Sequence, residues 1–228
     1  MLTLVSHSNE YIMKKILLYF LYATLFVGCS ETTVGYESAE EYLATVDEEN
    51  KIYYKSSDGE VIPTNRATLN IKLLSNSYHS GQGVITFSQP VTEVYSGMFS
   101  NCITLTDVTL SHRVTKISDN AFSGCYYLSN IVLPDFVTTI EHNAFRGCLR
   151  LMEVTLPSRL KKIEALAFQE CILLSTIYCK AETPPTGGDR MFLGASSLKI
   201  YVPRASVELY KEAPYWCDYA ERIVGFDF

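Results

Sequence analysis

Seven cysteines are the residues of this chain best suited to chemistry, and their spacing limits what that chemistry could be. Four of them recur every 23 residues, at Cys102, Cys125, Cys148 and Cys171. A zinc site would need two close pairs such as C-x-x-C, which the sequence lacks. Stacked repeats could bring neighbouring cysteines within disulfide distance, so disulfides stay an alternative. Each of the four follows a phenylalanine by three positions, which favours buried free thiols that pack as small hydrophobic groups. We expect Cys179 and Cys217 to be packing residues too.

Histidines are the other candidates for chemistry. His79, His112 and His142 follow the amino-terminal segment, and none belongs to an H-E-x-x-H motif. The sequence also lacks a G-x-S-x-G nucleophile motif and a glycine-rich phosphate loop. It therefore predicts no catalytic site, no metal site and no cofactor.

Composition narrows the classes of partner. The 228 residues are 47% hydrophobic and 19% charged, which is enough apolar material to bury a core. Nineteen Lys and Arg against 25 Asp and Glu give a net charge of −6. A chain with this balance lacks the basic footprint that binds a phosphate backbone, so we expect no nucleic-acid partner.

The cysteines belong to a longer pattern that must position them. Phenylalanine, leucine and aliphatic columns repeat at the same interval of 23 residues, as in Phe99, Phe122, Phe145 and Phe168. A fixed period of this length predicts a solenoid in which each repeat forms one coil. A further column predicts six stacked strands, with these residues pointing inward: Ile85, Val108, Ile131, Val154, Ile177 and Ile200.

The two ends depart from the repeat, as capping units must. Residues 52–62 predict a hairpin with Asp58 and Gly59 in its turn, and residues 206–222 predict a helix with Ser206 as N-cap and a break near Pro214. We divide the chain into an N-terminal cap with the first strand (51–90), repeats (91–202) and a C-terminal cap (203–228).

Two outward surfaces compete as binding sites. The first is the outward column of the strands, with Tyr178 and Tyr201 as its adjacent aromatic residues and Thr109, Val132 and Thr155 as further members. The second is an apolar row beside the cysteine column: Ile103, Tyr126, Tyr127, Leu149 and Ile172. This row would mark an interface if exposed and outer core if half-buried, and the sequence leaves both open.

The first thirty residues carry the features of a secretory signal. Lys14 and Lys15 precede an apolar run of 13 residues (16–28), which is too short to span a bilayer. Gly28 and Cys29 resemble a bacterial lipobox, so we predict a signal peptide over residues 1–28, with Met13 as an alternative start, and lipidation of Cys29. An acidic tether (29–50) follows.

The repeat unit NAFSGCYYLSNIVLPDFVTTI resembles the BspA-type leucine-rich repeats of bacterial cell-surface proteins. The resemblance covers about residues 50–228. It implies an α/β repeat solenoid: a short right-handed coil of 23-residue leucine-rich repeats, with stacked parallel strands, an N-terminal hairpin cap and a C-terminal helical cap.

The same resemblance implies a function. We expect a non-catalytic, adhesin-like module that binds a protein or glycan at the cell surface, as a monomeric outer-membrane lipoprotein of a Gram-negative bacterium. Its contact with the membrane would be through the lipid anchor only. The alternative is a structural scaffold or assembly subunit in the periplasm or outer envelope.

Overall fold

The computed structural model describes residues 48–65 and 70–228. The predicted signal peptide, Cys29 and nearly all of the predicted tether lie outside these residues. Within them lie thirteen strands and a short C-terminal helix, α1 (Val207–Glu212), which is flanked by 3₁₀ turns at Arg204–Ser206 and Cys217–Arg222. The strands are β1 (Lys51–Ser56), β2 (Leu73–His79), β3 (Gln82–Phe87), β4 (Glu93–Val94), β5 (Leu105–Thr109), β6 (Lys116–Ile117), β7 (Asn130–Val132), β8 (Thr139–Ile140), β9 (Glu153–Leu156), β10 (Lys162–Ile163), β11 (Thr176–Cys179), β12 (Lys199–Pro203) and β13 (Ile223–Phe226).

Parallel ladders join the successive coils. One sheet has the order β10-β8-β6-β4, and a second has the order β13-β12-β11-β9. In the second sheet Ile177 pairs with Val154 on one side and with Ile200 on the other, and all three side chains are buried. Thr115 and Thr138 illustrate the step between coils, because the Thr138 hydroxyl donates to the Thr115 carbonyl 23 residues earlier. Stacked parallel strands and a short C-terminal helix, as predicted, are therefore present.

Turns on a further side of the coil form another ladder. The backbone N–H groups of Phe122 and Phe145 donate to the carbonyls of Ala144 and Ala167 in the following coil, at 2.8 and 2.7 Å. The alanine column is small because backbones of adjacent coils approach closely here. The turn also needs a left-handed backbone, which Asn120 (φ 55°) and Gly124 (φ 74°) supply in one coil.

A stack of phenylalanine rings fills the centre of the coils. Ring centroids are 5.1 Å apart for Phe99 and Phe122, 5.3 Å for Phe122 and Phe145, and 5.0 Å for Phe145 and Phe168. The three pairs lie within 9° of parallel, and all four rings are fully buried. Phe192 continues the stack at 5.6 Å with a 32° tilt, which marks the change from regular coils to the C-terminal cap.

The N-terminal cap differs from the prediction. Asp58 and Gly59 do lie in a turn, but residues 57–65 form no strand, so the predicted hairpin at 52–62 is wrong. The hairpin is instead β2 and β3, joined by Ser80 and Gly81, whose φ angles of 52° and 82° suit a two-residue turn.

The prediction of six strands in one continuous stack is also wrong. Strand β1 lies between β3 and β5 and pairs antiparallel with both, so the sheet order is β2-β3-β1-β5-β7. Strands β7 and β9 belong to different sheets. The inward assignment of the column nevertheless holds, because all six residues from Ile85 to Ile200 are buried.

The C-terminal cap is built on two aromatic residues from the predicted helical segment. Tyr210 and Trp216 are fully buried and meet edge to face at 4.9 Å. Ser206 stands at the N-cap position, but its side chain makes no capping hydrogen bond, which corrects its predicted role. The sequence analysis missed β13, which extends the parallel sheet beyond β12.

Candidate binding surfaces

An aromatic cluster lies at the C-terminal end of the outward strand face. We define it as Tyr178, Tyr201, Phe226 and Phe228. The two tyrosines occupy paired positions of β11 and β12, and their rings stack at 5.1 Å. Phe226 contacts both tyrosine rings, at 5.3 and 5.7 Å, and Phe228 contacts Phe226 at 5.1 Å. Phe228 is 52% exposed and the tyrosines are half-buried, so the cluster presents ring surface to solvent.

Phe226 and Phe228 were not found by sequence reasoning, although one signal pointed to them. Ile223 follows Ile200 by the interval of the repeat and pairs with it. Extending the strand column by one step would have predicted β13, with Val224 beside Tyr201 and Phe226 two residues further along on the same face.

The other predicted residues of this face are divided between two sheets. Thr155 lies beside Tyr178, and both are half-buried. Thr109 pairs with Val132 in the other sheet, where Val132 is 68% exposed. Because β7 and β9 are not paired, the candidate column divides into two parts. One part is the pair Thr109 and Val132, and the other is the aromatic-rich row Thr155, Tyr178 and Tyr201.

The apolar row lies in the turns that follow the buried cysteines. Ile103, Tyr126, Tyr127 and Ile172 are exposed, and Leu149 is half-buried. Leu173 and Leu193 add further exposed apolar surface beside the row. Arg150 covers the Tyr127 ring at 4.5 Å, so this ring is occupied by a cation on one face.

The cysteines of the column are buried free thiols in the structure. Cys125, Cys148 and Cys171 each donate a hydrogen bond to the carbonyl of the phenylalanine one coil earlier, at 3.0, 3.3 and 3.1 Å. Burial raises the pKa of Cys102 to about 12 and raises the pKa values of Cys125 and Cys148 as well. These thiols are therefore structural and unreactive at neutral pH.

The remaining two cysteines behave differently from each other. Cys179 is buried and lies 3.2 Å from the Tyr210 hydroxyl, and burial raises its pKa to about 11. Cys217 is exposed, so its predicted packing role is wrong. It directly follows Trp216, but the Trp216 ring is turned into the core and Cys217 is left outside.

We expect thiol reactivity to separate these groups. Iodoacetamide at pH 8 should label Cys217 in the native protein, because the thiolate is the reacting form and this side chain is accessible. The five cysteines from Cys102 to Cys179 should become labelled only in denaturant, as read by peptide mass spectrometry. Native labelling of Cys148 as fast as that of Cys217 would contradict the burial described above.

The three histidines that the structure describes do not converge on a site. His79 is exposed at the end of β2, and His142 lies in a turn where its backbone N–H donates to Asp119. The His112 side chain is 3.4 Å from the buried Glu49 carboxylate, which also pairs with Arg113 at 2.9 Å. In residues 48–65 and 70–228, no group of three His, Cys, Asp or Glu side chains could hold a metal ion.

These features define a class: a leucine-rich repeat protein with outward aromatic and apolar surfaces. Residues 77–219, more than half of the chain, match the BspA type leucine rich repeat region in six copies, and the chain belongs to that family. Repeats of this family are generally non-catalytic and act in binding. No curated protein matches the chain. Among the residues that the structure describes, no helix is long and apolar enough to cross a bilayer.

Two solved structures are similar to parts of the chain. One is a leucine-rich repeat protein from Bacteroides ovatus ATCC 8483, at 27% identity and a TM-score of 0.44 over 56% of this chain. The other is the pneumococcal vaccine antigen PcpA, at 20% identity and a TM-score of 0.47 over 60% of this chain. The matched regions cover 31% and 40% of those two proteins, so this chain corresponds to less than half of either.

Proposed function

We propose that the chain is a non-catalytic, adhesin-like binding module that binds a protein or glycan through the aromatic cluster. The supporting observation is that four rings, each in contact with two or more of the others, sit on the outward strand face and stay partly exposed. Exposed aromatic surface is costly unless a partner covers it. Because the rings already hold one another in place, a partner would bind without first ordering them.

Delivery to the cell surface is part of the proposal. The segment from Lys14 to Cys29 has the pattern of a lipoprotein signal, and lipidation of Cys29 would anchor a monomer to the outer membrane. The acidic residues between the anchor and the first cap strand would hold the solenoid away from the lipid headgroups.

Protease treatment of intact cells that produce the full chain tests this placement. A non-permeating protease should digest the solenoid while a periplasmic control protein survives. Survival of both proteins would reject surface display and favour a role inside the envelope.

Substitution of the two tyrosines tests the binding surface. Tyr178→Ala combined with Tyr201→Ala should weaken partner binding at least about tenfold, because clustered aromatic residues contribute most of the energy at such interfaces. The free energy of unfolding should change by only about 1 kcal/mol, since both side chains are partly exposed. Binding of labelled protein to arrays of matrix proteins and glycans, together with urea unfolding, measures the two effects.

A matched control lies on the same face. Thr109→Ala combined with Val132→Ala removes two outward side chains from the other sheet and should leave binding unchanged. Equal loss of binding in both double variants would mean that the aromatic cluster is not the site.

A scaffold or assembly subunit is the second candidate, and the exposed apolar row favours it. Ile103, Tyr126 and Ile172 would be covered in a self-assembled form. Sedimentation of the wild type and of Tyr126→Lys separates the two functions. A stable oligomer that the lysine dissociates supports assembly, whereas a monomer in both cases supports the binding module.

A further inference from the structure

A hollow of about 620 Å³, open to solvent, lies beside the loops that follow β9 and β11. Its polar lining combines three cations with three hydroxyl groups: Arg159, Lys161, Lys180, Thr138, Ser158 and Thr183. Its two apolar members, Leu160 and Ala181, are buried, with no more than 3% of either residue exposed. The ionisable side chains that this hollow offers to a ligand are therefore mainly cationic.

The cations of this hollow differ from several others in the repeats, which are paired with carboxylates. Lys116 lies 2.8 Å from Glu93 and 3.6 Å from Glu141, and Lys162 lies 2.7 Å from Glu164. In the part of the chain that the structure describes, Arg159, Lys161 and Lys180 form no ion pair.

One carboxylate, that of Glu182, also lines the hollow, which leaves an excess of two positive charges there. A local excess of this kind in a chain of net charge −6 is complementary to an anionic ligand.

An aromatic residue connects this hollow to a second one. The Arg159 guanidinium lies over the Phe136 ring at 4.4 Å, and Phe136 is 45% exposed. Phe136 also lines a neighbouring hollow of about 270 Å³ at the ends of β5 and β7, together with His112, Val132 and Asp135. The two hollows thus follow one another along consecutive coils. This arrangement suits an elongated ligand that extends over more than one coil.

We propose that these two hollows bind an acidic polysaccharide, a linear chain of sugar rings that carry sulfate or carboxylate groups. Arg159, Lys161 and Lys180 bind the anionic groups, and the three hydroxyls hydrogen-bond to sugar hydroxyls. The exposed edge of Phe136 packs against a sugar ring. An acidic peptide fits the cationic hollow less well, because its apolar side chains, Leu160 and Ala181, are buried and only the second hollow, with Val132 and Phe136, exposes apolar groups.

Titration of the full-length protein with heparin, polygalacturonate, neutral dextran and poly-glutamate tests this proposal. We expect binding to heparin or polygalacturonate that weakens steeply as salt rises, and no binding to dextran. Binding of heparin alone assigns sulfate as the recognised group, and binding of both assigns anionic charge in general. No binding of either polysaccharide overturns the proposal, as does poly-glutamate binding as tight as that of the better polysaccharide.

Charge reversal locates the site. Lys161→Glu combined with Lys180→Glu should weaken polysaccharide binding at least about tenfold, because two attractive charges become repulsive. Lys72→Glu combined with Lys199→Glu makes the same change in net charge at exposed lysines outside both hollows. This control should bind within about twofold of the wild type. Equal weakening in both double variants would mean that binding depends on net charge alone and would overturn the site.

This inference does not rest on the proposed function at the aromatic cluster. Tyr178→Ala combined with Tyr201→Ala should leave heparin and polygalacturonate affinity unchanged, because neither tyrosine lines the hollows. Loss of polysaccharide binding in that variant, with the lysine variants unaffected, would move the site to the aromatic cluster and overturn the assignment made here.

Discussion

Replacing Phe145 with alanine should lower the free energy of unfolding by about 3 to 5 kcal/mol. Phe145 has a parallel ring on both sides, Phe122 at 5.3 Å and Phe168 at 5.0 Å, and none of its surface reaches solvent. Alanine would leave a cavity in the middle of the stack. The coils cannot close around that cavity, because two backbone ladders fix their spacing.

We expect the destabilisation to spread to adjacent coils, because hydrogen bonds join the Phe145 backbone to them. Its N–H donates to the Ala167 carbonyl at 2.7 Å, and its carbonyl accepts the Cys171 thiol at 3.1 Å. Urea unfolding gives the size of the loss, and hydrogen exchange at the neighbouring coils shows how far it spreads.

A control for this measurement lies on the surface of the next coil. Ile172→Ala removes an exposed aliphatic side chain and should change the free energy of unfolding by about 0.5 kcal/mol or less. A Phe145→Ala variant as stable as Ile172→Ala would contradict the assignment of the phenylalanine column to the core.

Replacing Trp216 with alanine should have an effect of similar size, about 3 to 5 kcal/mol, but at the C-terminal end. The indole is fully buried, meets Tyr210 at 4.9 Å and Phe192 at 6.0 Å, and donates from Nε1 to the buried Pro185 carbonyl at 2.7 Å. The variant loses the packing and leaves that carbonyl without a donor. Thermal unfolding together with hydrogen exchange across β12 and β13 measures the loss.

Trp216→Phe separates the two contributions. Phenylalanine keeps an aromatic ring against Tyr210 and Phe192 but cannot donate to Pro185, so we expect a smaller loss of about 1 to 2 kcal/mol. If Trp216→Ala stays within about 1 kcal/mol of the wild type, the cap is not needed to cover the last coil.

Burial along the repeat columns could be predicted because the same position recurs in several coils and has the same packing requirement in each. A side chain that points inward in one coil points inward in the next, so Phe122, Cys125 and Ile131 predict the burial of their counterparts. Periodicity therefore placed the core correctly, including the free thiols of the column.

Strand pairing at the N-terminal end could not be read in the same way. Strand β1 pairs antiparallel with both β3 and β5. No local pattern in residues 51–56 predicts which strands β1 pairs with. The predicted turn at Asp58 and Gly59 is real, but a turn requires no strand after it.

The aromatic cluster and the cationic hollow also depend on contacts between residues that do not occupy the same repeat position. Phe226 and Phe228 reach Tyr178 only because β13 joins the sheet. Lys161 and Lys180 line one hollow although they occupy different positions in their repeats. A search along columns finds residues that stack and overlooks residues that converge from different positions.

The hydrogen-bonded thiols have a consequence for the response of the chain to an oxidant. In the folded state Cys125, Cys148 and Cys171 are buried and donate to carbonyls of the preceding coil, so an oxidant does not reach them. Before folding, the same thiols are accessible and could be joined into wrong pairs. Each thiol is protected from wrong pairing once its coil has folded and the thiol donates to the phenylalanine carbonyl. The yield of native protein therefore depends on whether the coils fold faster than the thiols are oxidised.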